Sequence, residues 1–321
     1  MALLKLVPEN TSIPFTSMRL VAAVASAALV VASIAAVATL GLNFGVDFRG
    51  GVTLEVSDDA PIDLGEVRRA VGALGLGEAK VQEIADSSGE GGGVVVFIEQ
   101  QEASEEADGE AAQFAALTKV KAALTDLLGD GVDFPREEVV GPTVSGELIQ
   151  KGVIAVVLAI GMMLAYIWLR FEWQFSIGAI IALVHDVIIT LGMFAVTQLD
   201  FTLAIIAAIL TIVGYSMNDT VVVYDRVREN LRKYKKKELQ ALVDLSINET
   251  LSRTVMTSLT TLIALLSLYL LGGEVLRGFT FAMIWGVLIG TYSSVFVAAP
   301  LLLVTGVKRD WSTAAPVAAT P

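Results

Sequence analysis

Cysteine is absent from the 321-residue sequence, and histidine occurs once, at His185. Without cysteine there is neither a disulfide framework nor a thiolate metal site, and a single histidine excludes a His-rich metal cluster. Site chemistry therefore rests on carboxylates, arginine and hydroxyls. Apolar residues are abundant instead: 55% of the chain is hydrophobic and the mean hydropathy is +0.69, outside the range of an ordinary soluble domain. The sequence is that of an integral membrane protein. Its formal charge of -12 conceals a segregation of the two signs along the chain, and that segregation carries the topology.

Residues 1–19 are a short polar start with Lys5 and Arg19. The apolar run at 20–42 is close to the ~20 residues a spanning helix needs and longer than the ~7–15 of a signal-peptide core, which predicts an uncleaved first helix. Five further runs, at 152–169, 176–197, 201–224, 254–271 and 279–304, are each near spanning length. The expected organisation is a six-helix bundle: helix 1 at 20–42, helices 2 to 6 within 152–306 with a basic loop at 225–252, and a tail at 307–321. If the helices alternate in direction, Arg19, Arg170, Arg226, Arg228, Arg232, Lys233, Lys235, Lys236, Lys237, Lys308 and Arg309 fall on one side. Excess Lys and Arg marks that side as cytoplasmic, with both termini inside.

Residues 43–151 then lie outside the cytoplasm, and their composition is that of a soluble domain. Strands are expected at 52–56, 80–84, 94–98 and 138–140, and helices at 61–74 and 111–128, with a Gly-rich turn at 89–93. The order β-α-β-β-α-β predicts a small ferredoxin-like α+β domain. The acidic stretch 101–110 reads as a solvated loop.

The membrane runs carry polar residues at helical spacing. Gly178, Ala182, Asp186 and Thr190 share one face of the third helix, Ala208, Thr211, Tyr215 and Asp219 one face of the fourth, and Arg253, Thr257, Thr260 and Thr261 one face of the fifth. Ala282, Gly286, Gly290, Ser294 and Ala298 form a small-residue seam on the sixth. Each stripe taken alone is ordinary helix packing. Asn218 and Asp219 are different, because such groups cost about 2.5–3.5 kcal/mol at a helix centre if unpaired. Asp219 lies about 9 Å inside the boundary marked by Asp225, at 1.5 Å per residue, where the long side chain of Arg253 can reach it. Asp186 lies about 15 Å in from Ser176. The expected set of proton stepping stones is Asp219 as carrier, Arg253 as its charge partner, Asp186 as a relay or second site and Asn218 in support. His185, about 100° around the helix from Asp186, reads as a packing or supporting histidine ahead of a relay member.

Several motifs in a fixed order resemble a known family. They are Gly45-Val46-Asp47-Phe48-Arg49-Gly50-Gly51, Val140-Gly141-Pro142-Thr143-Val144-Ser145, His185-Asp186, the run from Gly214 to Arg226 that contains Asn218-Asp219, and Asn248-Glu249-Thr250-Leu251-Ser252-Arg253-Thr254. Together they resemble the SecD/SecF family of protein-export membrane proteins, in the resistance-nodulation-division superfamily. The resemblance implies a subunit of the bacterial cytoplasmic membrane that pairs with SecD and works with the SecYEG channel. It implies use of the proton-motive force to draw unfolded precursor polypeptides out of the cell. It also implies that Asp219 and Arg253 are the proton-coupling pair, with His185 and Asp186 the His-Asp motif. The resemblance implies protons as the coupling ion; no cofactor, metal, enzymatic activity or nucleic-acid partner is expected.

Three other readings remain at this point. An intramembrane aspartyl protease would use Asp186 and Asp219 as a dyad, which needs two carboxylates close enough to share a proton; glycines beside the aspartates are missing, and a neighbouring Arg253 favours an ionised Asp219. A proton-driven small-molecule exporter half of the same superfamily would differ chiefly in its external domain. A scaffold subunit would use the polar residues for packing alone.

Overall fold

Apolar runs and turn residues divide the chain into a helical part and one small sheet. A computed structural model describes residues 8, 11–58, 60–77, 79–84, 92–101, 109–129 and 131–307. Lys5, Lys308, Arg309 and the remainder of the tail lie outside the described residues, as do most of the acidic stretch and part of the Gly-rich turn. A 3-10 turn at Phe15–Met18 leads into α1 (Arg19–Leu40), followed by a single-turn helix α2 (Val46–Arg49). The sheet domain comprises β1 (Gly51–Asp58), α3 (Leu64–Gly72), β2 (Ala79–Ile84), β3 (Gly92–Ile98), α4 (Gly109–Leu128) and β4 (Asp133–Val140). Four long helices follow: α5 (Pro142–Arg170), α6 (Trp173–Thr197), α7 (Leu203–Lys233) and α8 (Leu239–Leu271). The last membrane segment is α9 (Glu274–Ser293), a π-helical turn at Ser294–Ala298, and α10 (Ala299–Thr305).

The sheet is antiparallel with strand order β2-β3-β1-β4. Strand alternation puts Val52, Leu54 and Val56 of β1 opposite Ile98, Val96 and Val94 of β3, all on the face that α3 and α4 cover with Val67, Val71, Val120 and Leu124. Period-2 apolar residues against a helical face are what closes this core. Asp63 caps α3 by accepting from Gly65 N at 2.6 Å and Glu66 N at 3.2 Å, which starts the helix after Pro61 rather than at it.

Among the described residues, six helices are long and apolar enough to cross a membrane. They are not equivalent. About half or more of the apolar window is buried in α6 (61%), α7 (50%) and the α9–α10 segment (50%), against 6% in α1, 6% in α5 and 11% in α8. Three helices form the core and three lie around it. The small-residue seam of α9 is filled from within the chain: a Cβ on Gly286 would collide with Ile212, and one on Gly290 would lie 2.9 Å from Ser216. The seam therefore packs within the chain, against α7. Pro300 has no N–H to continue the ladder, and the helix adjusts one turn earlier, where Ala299 N bonds to Ser294 O in π fashion.

Residues 225–252, expected as a loop, are helical except at 234–238. Arg226 Nε donates to Glu249 at 2.7 Å, and Asn230 Nδ2 donates to Glu249 at 2.6 Å and to Ser246 at 3.0 Å. These bonds zip the charged ends of α7 and α8 together. Hydropathy marks where a helix leaves the apolar phase and does not mark where its backbone ends.

Candidate proton-coupling site

Asp219 is buried, at 3% exposure, because its face of α7 turns toward the core. Its Oδ2 is sealed and has no hydrogen-bond partner among the described residues. Tyr215, on the same face, also carries a sealed, unpartnered hydroxyl. An ionised carboxylate in such surroundings is costly unless paired, and a bound proton removes that cost.

The expected partners stand further off. Arg253 is exposed on α8; it acts on Asp219 electrostatically, but no ion pair joins the two among the described residues. Asn218 is exposed as well, being one residue and about 100° around α7, and makes no hydrogen bond to Asp219 among the described residues. The stripe below Arg253 needs no partner, since Thr257, Thr260 and Thr261 donate to carbonyls of their own helix at 2.8–3.0 Å. Thr211 does the same with Ala207 O at 2.8 Å and is exposed.

Asp186 is the most heavily partnered carboxylate in the membrane part. Its Oδ2 accepts from Ser216 of α7 at 2.5 Å and from Ser293 of α9 at 2.7 Å, and its Oδ1 lies 2.9 Å from His185 Nδ1. Thus one carboxylate ties the three core helices together. His185 starts on a different face, but its ring turns back onto Asp186, so it is a direct neighbour. Ser216 and Ser293 are not apparent as partners in the sequence; the only signal is a hydroxyl on a helix face that also carries small residues. Among the described residues Asp186 and Asp219 share no hydrogen bond, so no aspartyl dyad forms.

The start of α7 is held by the linker that precedes the sheet. Asp47 of α2 accepts from Leu203 N at 2.8 Å, capping α7 from a distant part of the chain. Around it, Gly45 N donates to Phe201 O at 2.9 Å, Phe201 N donates to Asn43 O at 2.7 Å, and Asn43 Nδ2 donates to Asp200 at 2.7 Å. Ser145 of α5 donates to Phe48 O at 2.7 Å, and the rings of Phe44, Phe48 and Phe201 meet at centroid distances of 5.8–6.1 Å. The next residues, Gly50 and Gly51, have φ of 69° and 121°. A Cβ on Gly51 would strike Ile98 O and one on Gly50 would lie 2.7 Å from Gln100 Oε1. Only glycine permits this entry into β1.

Residues 119–308 match the family described as "Protein export membrane protein SecD/SecF, C-terminal", and residues 35–57 match the "SecD/SecF GG Motif". "Protein translocase subunit SecF" of Rhodobacter capsulatus is 47% identical over 313 residues, covering 96% of this chain and 93% of that protein. The protein of the same name from Rickettsia bellii is 40% identical over 306 residues, covering 95% and 97%. The crystal structure of SecDF, a translocon-associated membrane protein from Thermus thermophilus, superposes with a TM-score of 0.79 at 33% identity. It covers 94% of this chain, which spans 39% of that longer one. Fold and motifs thus define a multi-pass membrane protein of a transport machinery. The chain belongs to the SecD/SecF family of protein-export membrane proteins, and its relatives within it are the SecF translocase subunits.

Proposed function

We propose that the chain is the SecF-type half of an accessory complex that uses the proton-motive force to promote protein export across the bacterial cytoplasmic membrane. SecD is its partner, SecYEG the channel beside it, and the unfolded precursor its substrate; the work is mechanical, with no enzymatic step, cofactor or nucleic acid. The observation that carries this reading is a sealed, unpartnered carboxylate, Asp219, on a helix whose outer end is capped by the linker to the sheet domain. The sheet domain, read as ferredoxin-like, faces outward and meets the emerging polypeptide.

A proton on Asp219 neutralises it while Arg253 stands away. When Arg253 approaches, the carboxylate is favoured ionised and the proton leaves. Moving one charge through the membrane field supplies about 2.3 kcal/mol per 100 mV, enough to shift a two-state equilibrium about fiftyfold. The shift moves α7 against α6 and α9, with Ser216 and Ser293 on Asp186 as the contact that gives, and the Asp47 joint carries it to the sheet domain. Asp186 serves as a second site beside this path, and Asn218 faces outward with Arg253. An exposed Arg253 and Asn218 at membrane depth are costly against lipid, and a SecD half covers them.

Reconstitution of the chain with its SecD partner and the channel tests this reading. Precursor translocation is expected to rise when a proton gradient is imposed and to fall back when an ionophore collapses it; equal rates in both conditions would refute proton coupling. The natural absence of cysteine makes topology directly measurable. A single Thr118→Cys on α4 should react in intact cells with a reagent that cannot cross the membrane, and reaction only after lysis would reverse the proposed orientation.

A further inference from the structure

A cleft of about 500 Å³ runs between α1, α6 and the π-turn with α10, away from Asp219 and Arg253. Arg19 stands at one end, and Val30 with Ile188 at the other. Along α1 this is about 16 Å at 1.5 Å per residue, about half of a ~30 Å hydrocarbon core, or one leaflet. The cleft opens sideways, since the lining residues Leu20, Val184 and Val304 are 73%, 44% and 79% exposed. His185 and Phe296 are among its lining residues, and Tyr292 stacks with both, with centroids 6.1 and 5.3 Å apart. His185 Nε2 is sealed there with no hydrogen-bond partner among the described residues, and Ser26 is already bonded to Tyr292 at 3.0 Å.

We propose that this cleft binds an anionic glycerophospholipid from the leaflet at the Arg19 end, with the phosphate on the Arg19 guanidinium and one acyl chain lying along His185 and Phe296. Two observations select this occupant. Arg19 makes no ion pair among the described residues and stands at the start of the apolar helix α1, where a phosphate complements it with charge-assisted hydrogen bonds. The walls of the cleft are apolar, so water, which needs two or more polar partners, is a poor filler. A bound chain keeps the cleft dry beside His185, whose Nδ1 meets Asp186, and so shields the contact between Asp186 and Ser216 of α7. The inference rests on membrane insertion alone and stands whether or not Asp219 carries protons.

Native mass spectrometry of the complex, released from nanodiscs containing phosphatidylglycerol or phosphatidylcholine with identical tails, tests it. The intact protein should retain one phosphatidylglycerol with about fivefold preference, the scale of one cation near an anionic surface. Arg19→Gln should lose the preference and Arg19→Lys keep it. Ala27→Trp, which fills the cleft, should lose both lipids, whereas Leu29→Trp, on an exposed part of α1 outside the cleft, should retain them. Unchanged phosphatidylglycerol retention in both Arg19→Gln and Ala27→Trp overturns the proposal. So does a photoreactive group at Ala27 that, in native membranes, crosslinks to a protein chain instead of to lipid.

Discussion

Asp219→Asn is expected to abolish the gradient-dependent part of precursor export while the complex still assembles. The substitution keeps shape and burial but removes the group that binds a proton, so the electrical work of about 2.3 kcal/mol per 100 mV no longer has a carrier. Export should fall to the rate seen without a gradient, the loss of an effect that reaches about fiftyfold on the underlying equilibrium. Because Oδ2 has no partner to lose, the neutral amide costs little in packing, and co-purification with the partner should be unaffected. Arg253→Met should also lose gradient dependence, through the partner charge instead of the carrier. Should both variants respond to the gradient as the parent does, the polar residues of α7 and α8 are packing features and the proposed coupling is wrong.

Gly286→Val should strongly destabilise the membrane core. Its Cβ would occupy the space of Ile212, where α9 packs on α7, and overpacking of this kind typically costs about 1–3 kcal/mol or more. Thermal aggregation of the detergent-solubilised protein is the measurement. Gly161→Ala, where a Cβ meets nothing within 4 Å, is the control and should melt with the parent. Gly286→Val combined with Ile212→Ala should recover part of the loss. A Gly286→Val protein as heat-resistant as the parent would contradict the close α7–α9 contact described above.

Much of this architecture is legible in the residues. Long apolar runs announce the six helices, and the alternation of Val52, Leu54 and Val56 announces a strand with one buried face, because each follows from a local period. The buried face of α6, with Gly178, Ala182, Asp186 and Thr190, is legible for the same reason, and all but the glycine are at 2% exposure or less. What the residues do not announce is pairing across helices. Ser216 and Ser293 meet at Asp186 through a three-helix arrangement that no spacing encodes. The reach of Arg253 toward Asp219 follows from depth alone; in the structure Arg253 is exposed on α8 and forms no ion pair with Asp219 among the described residues. Asp47 reads as a charged residue in a linker motif, and its role at the start of α7 emerges only when the chain folds back on itself.

That last contact has a mechanical meaning. Asp47 and Leu203 N form a hinge pin between the sheet domain and the rod that bears Asp219 about 24 Å away at 1.5 Å per residue. Linkage between two such points is reciprocal. In the proposed cycle, then, tension runs backwards as well as forwards. A precursor that resists withdrawal loads the rod and biases which form of Asp219 persists, so proton flow should slow when the cargo stalls and resume when it yields, a stroke governed by its load.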